Sequence, residues 1–342
     1  MAVDPLERVA LGRTGLHVTR LALGGASIGG LFSAVDQESA VGTVRHAWDL
    51  GIRTFDTAPL YGYGASERRM GLALRDRPRD AYVLSTKVGR LVQHESAIDP
   101  GADLDRQRLG AEDDAYYARA EPLRIVFDYS ADGVRRSLEA SLERLGVDRV
   151  DIALIHDPDE HWQEAIDGAW PALARLRAEG VVRAVGAGMN QAAMLARFAR
   201  ETDMDVILLA NRYTLLDQTA LPTLLPVCVE RGIAILVGGV MNTGILADPR
   251  PGSRFDYGPA RADLVARAQR LAAVCARYDV PLRAAAIQFP LAHPAVVSLV
   301  AGVRTIAHLD DYPAMMTLPI PTELWAELRA EGLIAPDAPV PG

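Results

Sequence analysis

The feature that most restricts the fold of this chain is a rhythm. From Leu21 onward, short apolar runs alternate with longer amphipathic segments. Parallel strands joined by crossover helices produce that pattern, because a strand covered on both faces reads as a brief apolar run and its covering helix as one apolar stripe. Strand candidates fall at Leu21–Leu23, Thr54–Phe55, Tyr82–Ser85, Asp151–Ile155, Arg183–Val185, Val206–Leu209, Ala234–Val237 and Ser298–Val300. Eight in succession predict an α/β fold of the (β/α)₈ TIM-barrel type rather than an open doubly wound sheet. Helices are expected at about 37–50, 66–75, 131–145, 163–179, 191–201, 219–231, 261–277 and 306–316. The clearest runs from Ser130, a capping residue, to Gly146, a stop, with Val134, Leu138 and Leu142 on one face.

Ahead of the first barrel strand, Gly15 lies at a turn within Leu11–Val18, which predicts an N-terminal β-hairpin at about 8–19. Two stretches interrupt the rhythm. Residues 90–127, with Pro100, Gly101 and Gly110, form a connection far longer than usual, the mark of a long active-site loop. The second, Asn242–Pro259, is rich in Gly and Pro. No composition shift marks a linker, so a single domain over 1–342 is expected.

Charge and cysteine usage narrow the partners. With 36 Lys and Arg against 44 Asp and Glu, the net charge of −8 provides no field for a phosphate backbone, and no nucleic-acid partner is expected. Cys228 and Cys275 lack metal-site spacing and read as reduced core thiols. Asp4 and Glu7 sit where a secretory leader needs a basic start, and no run reaches the ~18 apolar residues of a membrane span. A cytoplasmic protein with no membrane partner is the expectation; its oligomeric state is left open.

Working groups of such a barrel stand at the carboxyl ends of its strands. The second strand runs into Phe55-Asp56-Thr-Ala-Pro-Leu-Tyr61-Gly62, the third into Ser85-Thr86-Lys87, and the fourth into Leu154-Ile155-His156-Asp157-Pro158. A phenol carries protons poorly near neutrality unless its anion is stabilised. An ammonium beside it is expected to lower its pKa, and a carboxylate holds that ammonium charged. A carbonyl oxygen between Tyr61 and His156 is then polarised as hydride arrives; in reverse, an alcohol loses its proton to Tyr61. Taken singly, each residue has a plainer reading: Asp56 as a turn cap, Tyr61 as a packed aromatic, Lys87 as a surface charge. His156 with Asp157 and Asp159 invites a metal, but no second His or Cys stands at ligand spacing, and no metal is expected.

These segments resemble the signatures of the aldo-keto reductase family, in order and spacing, over about Leu11 to Tyr312. The resemblance implies a catalytic tetrad of Asp56, Tyr61, Lys87 and His156, and a hairpin closing the barrel bottom. Val126-Phe-Asp-Tyr-Ser130, Ile155-His-Asp-Pro-Asp159 and Gly238-Gly-Val-Met-Asn-Thr-Gly-Ile-Leu246 resemble a branch that oxidises aldoses such as L-fucose at C1 to a lactone, or pyridoxal at its 4-position. A sugar or aldehyde substrate is implied. General aldehyde reduction and a non-catalytic cofactor-binding subunit stay open as alternatives.

The same resemblance implies a nicotinamide cofactor, although Gly24-Gly-Ala-Ser-Ile-Gly29 lacks the dinucleotide glycine spacing of an open sheet. Asn190 stands near the position that holds the nicotinamide amide, Asn211 or Arg212 would substitute for a family Gln whose place holds Ala210, and Gly238 stands where an aromatic commonly stacks. The adenosine half is expected on residues 298–314, with Gly302, Arg304, His308 and Asp311 as contacts. His308 with Asp311 is a poor host for a 2′-phosphate dianion, which favours NAD, whereas Arg304 would favour NADP.

Overall fold

A computed structural model of the protein describes residues 3–105, 117 and 122–342. Eight parallel strands close into a barrel: β1 (Leu21–Gly24), β2 (Thr54–Asp56), β3 (Val83–Val88), β4 (Ile152–His156), β5 (Ala184–Met189), β6 (Val206–Ala210), β7 (Ala234–Gly238) and β8 (Val296–Gly302), with β8 paired back onto β1. Each expected strand is present, most extended toward the carboxyl end.

Strand parity sets what faces inward. Ala22, Val83, Ile152, Leu154, Ala184, Val206, Leu208, Ala234, Leu236 and Val300 fill the barrel as one cluster, while their neighbours pack outward against the helices. The hairpin strands Arg8–Ala10 and His17–Thr19 pair antiparallel, and Leu11, Leu16 and Val18 join the interior cluster as a plug at the amino-terminal end. Extending the same parity upward puts Asp56, Lys87 and His156 on the inner wall at the carboxyl end of adjacent strands β2, β3 and β4. The corresponding positions on β5, β6, β7, β8 and β1 are Gly188, Ala210, Gly238, Gly302 and Gly24. Three adjacent strands of the rim therefore carry polar side chains, and the other five carry at most a methyl group.

Helices cover the barrel at Gln37–Asp49, Ala65–Leu74, Ala131–Leu145, Ala192–Glu201, Leu224–Arg231, Ala262–Arg277 and Ile306–Thr317. Ser130 caps Ala131–Leu145 through the Gly133 N–H, and Gly146 ends it in the left-handed region. The helix expected over 163–179 is broken by a π-turn at Ala165–Ala169, where a Cβ on Gly168 would lie 2.5 Å from the Tyr129 carbonyl oxygen. Two further helices, Leu282–Leu291 and Thr322–Ala330, were not expected. The first has every residue from Ala284 to Leu291 buried, so it shows no amphipathic period, and the second follows Pro319 and Pro321, which read as loop punctuation.

The long connection after β3 holds an antiparallel ribbon, Arg90–His94 against Leu123–Phe127. The second irregular stretch holds a small hairpin, Arg254–Phe255 against Gly258–Pro259, turned by Asp256 and Tyr257, both at positive φ. Among the described residues no helix is long and apolar enough to cross a membrane.

Candidate active site

Lys87 is the group around which the site is built. Its ammonium, 1% exposed, donates to Asp56 Oδ2 at 2.8 Å and to the Thr57 carbonyl at 2.9 Å. The same Nζ lies 4.7 Å from the centroid of the Tyr61 ring, and the His156 ring stands edge-on to that ring at 5.7 Å. The four expected residues thus converge on one point of the rim. Tyr61 is fixed from behind: a Cβ on Gly29 would sit 2.8 Å from the Tyr61 carbonyl carbon, and one on Gly62 (φ 65°) only 2.2 Å from the Gly29 carbonyl oxygen. Glycine at both places lets the turns after β1 and β2 interlock.

Burial decides the charge states. It holds the Tyr61 phenol neutral, with a pKa well above 10, assisted by the Asp56 carboxylate, the neighbouring Tyr257 phenol and the Asp157 carboxylate and opposed by Arg90. This corrects the expectation of a phenol lowered by its ammonium neighbour: Lys87 is already paired with Asp56, and its cation lies over the ring face. Burial, with Arg90 and Lys87 adding to it, likewise keeps the His156 imidazole neutral, its pKa well below 6.5. His156 Nδ1 and Asp56 Oδ1 are buried without hydrogen-bond partners.

Beneath His156 lies a network that sequence reasoning did not find. Arg90, 2% exposed, pairs with Asp105 at 2.5 Å and with Asp157 Oδ2 at 3.2 Å, and reaches the carbonyl oxygens of His156 and Asp157 at 3.4 Å each. The Tyr129 hydroxyl donates to the same two carbonyls at 2.7 and 3.0 Å. Deeper still, the fully buried Glu67 accepts from Arg144 at 2.6 Å and from Thr86, next to Lys87, at 2.7 Å. An arginine directly after a strand-end glycine was the available signal for Arg90; its partner Asp105, fifteen residues on in a loop, has no periodic relation to it.

A cavity of about 270 Å³ opens here, lined by Tyr61, Lys87, His156, Asp157, Asp159, Gly188, Asn190, Ala210 and Arg212, with Leu31, Leu60, Tyr117 and Tyr257 among its walls. Both irregular stretches contribute to it, through Tyr117 and Tyr257. Trp162 does not, because it packs into the helix layer against Phe198, ring centroids 4.4 Å apart. Among the described residues no group of three His, Cys, Asp or Glu forms a metal site. Cys228 and Cys275 are buried, and burial pushes their thiols up to about 12 and about 11.

The residues expected to hold a cofactor fall into two groups. Asn190 and Asn211 meet at the cavity edge, where both side chains hydrogen-bond the Tyr257 hydroxyl; Asn190 also reaches Asp256 at 3.4 Å, and Arg212 pairs with Asp256 at 2.6 Å. Asn211 Oδ1 is buried and unpartnered, an acceptor of the kind that a carboxamide NH₂ satisfies. A Cβ on Gly238 would find only Leu208 Cδ2, at 3.6 Å, so the wall of Gly188, Ala210 and Gly238 has room for a flat ring. At the other end, a Cβ on Gly302 would lie 3.3 Å from Ser27 Oγ, and Arg304 donates to Ser33 at 3.0 Å, which brings the loops after β1 and β8 together. His308 is exposed, its N–H capped by Thr305. Asp311 is turned away from the expected role by an ion pair with Arg283 at 2.6 Å. The donor set and the side-chain-free wall fit a nicotinamide dinucleotide.

Comparison with known proteins bears on this geometry. Residues 20–331 match the aldo/keto reductase family. Over 98% of this chain and the full length of the relative, it is 43% identical to pyridoxal 4-dehydrogenase of Microbacterium luteolum. It is 42% identical to D-threo-aldose 1-dehydrogenase of a Pseudomonas species, over 95% of this chain and 97% of that one. A solved aldo-keto reductase from Bacillus halodurans, in its holo form, superimposes with a TM-score of 0.73 at 24% identity, covering 96% of this chain and 97% of that one.

Proposed function

The chain belongs to the aldo/keto reductase family and is an oxidoreductase, and from that premise we propose that it oxidises an aldose of the L-fucose type at C1 to the lactone, with NAD as the preferred cofactor. The observation that carries this reading is Tyr61 held between the Lys87 ammonium and the His156 ring at the mouth of the cavity. When bound, the nicotinamide supplies the hydride acceptor. His156, neutral, orients the anomeric oxygen by a hydrogen bond. Once Tyr61 has lost its own proton to solvent, its phenolate oxygen accepts the proton of the anomeric hydroxyl while the C1–H bonding pair departs as hydride to the cofactor, which leaves the lactone carbonyl. Lys87 stabilises negative charge on Tyr61, and Asp56 with the Thr57 carbonyl fixes that ammonium.

NAD is favoured over NADP because Arg304, the cation within the adenosine segment, hydrogen-bonds Ser33, whereas Asp310 sits two residues beyond His308. A 2′-phosphate would meet that acid. A second reading, oxidation of pyridoxal, draws on the 43% identity and on the aromatic walls Tyr117 and Tyr257, which suit a pyridine ring. The test is absorbance of reduced cofactor with L-fucose, D-arabinose or pyridoxal, each with NAD and with NADP. Faster turnover of the sugars with NAD supports the first reading, and faster turnover of pyridoxal the second. Tight cofactor binding with no turnover of any substrate would mark a binding subunit and refute both.

A further inference from the structure

Asp157 takes no part in the proton path above, yet it faces the reacting centre. Its Oδ2 lies 3.4 Å from His156 Nε2, and its side chain, 21% exposed, lines the cavity. The residue adopts φ 39°, in the left-handed region that Asp and Asn enter more readily than most residues, which turns the chain sharply right after the strand. Arg90 holds both ends of that turn, pairing with Oδ2 at 3.2 Å and reaching the carbonyl oxygens of residues 156 and 157. Arg90 is itself pinned by Asp105 and cannot swing away. Oδ1 accepts no hydrogen bond from any described side chain or N–H.

A rigid carboxylate next to the residue that orients the anomeric oxygen is an acceptor only. An aldehyde with an alkyl chain offers it nothing and leaves it desolvated, and a carboxylate or phosphate on the substrate is repelled by it. A neutral substrate with a hydroxyl next to the reacting carbon supplies the missing donor. Resting on the aldose reading, we propose that Asp157 is the residue that selects such substrates, accepting a hydrogen bond from the hydroxyl at C2 and thereby setting the face of C1 presented for hydride loss. The aromatic rings of Tyr117 and Tyr257 then cover the apolar faces of the sugar.

The test compares L-fucose with 2-deoxy-L-fucose. A hydrogen bond to a charged acceptor, lost at a site built for it, corresponds to about a 10- to 100-fold preference in kcat/KM for the hydroxylated sugar in the wild-type enzyme. Asp157→Asn should shrink that preference at least tenfold, mostly through KM, and Asp157→Glu, which keeps the acceptor but displaces it, should retain part of it. Equal kcat/KM for the two sugars in the wild type, or the same preference in Asp157→Asn, overturns the proposal while the dehydrogenase reading stands. No reduction of cofactor with either sugar removes that reading and the proposal with it. The wild-type comparison requires no folded variant.

Discussion

Replacing Lys87 with Met tests the core of the site through stability as well as rate. At 2.8 Å, with an effective dielectric of about 20, the attraction between Lys87 and Asp56 is about 6 kcal/mol before desolvation is charged against it. Both side chains are at most 3% exposed, so removing the cation strands a carboxylate whose Oδ1 already lacks a partner. Breaking such a pair from one side costs about 3–5 kcal/mol, whereas replacing both members with apolar groups is close to neutral. Urea unfolding of Lys87→Met should therefore show that loss as a lower midpoint at unchanged slope, and Lys87→Met/Asp56→Leu should recover at least about half of it. Turnover should fall about 10²- to 10⁴-fold in both variants, because the ammonium is absent from both. A single variant that loses under about 1 kcal/mol, or a double variant that loses the sum of the singles, would refute the claim that the two charges are buried against each other.

The other predictions concern pH and the network under His156. Since burial raises the Tyr61 phenol well above 10, kcat/KM for oxidation, which needs the phenolate, should rise by about one log unit per pH unit from pH 7 to 9, whereas reduction, which needs the phenol, should stay flat; a plateau below pH 8 in the oxidative profile would contradict this. Burial also pushes Asp157 up to about 6, with Asp159 and Asp105 adding to it and Arg90 and Lys87 opposing, so on the acid side sugar oxidation should show an additional break near pH 6 that Asp157→Asn removes; an unchanged break in the variant would assign it elsewhere. Arg90→Met leaves Asp105 and Asp157 buried without their shared cation and should lower unfolding free energy by about 3–5 kcal/mol, a loss that a urea titration within 1 kcal/mol of wild type would rule out.

The barrel was legible because its strands are short apolar runs at regular spacing and its hairpin carries a turn glycine, both local signals. Asp56, Lys87 and His156 were legible for the same reason: each ends a strand, and parity sends each inward. Asp105, Tyr117 and Tyr257 were not, because the first reaches Arg90 and the other two reach the cavity from loops whose paths depend on tertiary contacts. The charge state of Tyr61 was misread from sequence, since adjacency of a lysine does not show how completely the phenol is desolvated. Asp311 shows the same limit at the adenosine segment, where Arg283, distant in sequence, claims the carboxylate expected beside His308.

The phenol itself remains the most direct subject for measurement. Tyr61→Phe removes one oxygen from a ring whose packing against Lys87, His156 and Tyr117 otherwise persists, so cofactor affinity and unfolding midpoint should stay near wild type while kcat for C1 oxidation falls at least about 100-fold. A Tyr61→Phe enzyme that turns over within a few-fold of the wild type would show that the proton leaves by another route.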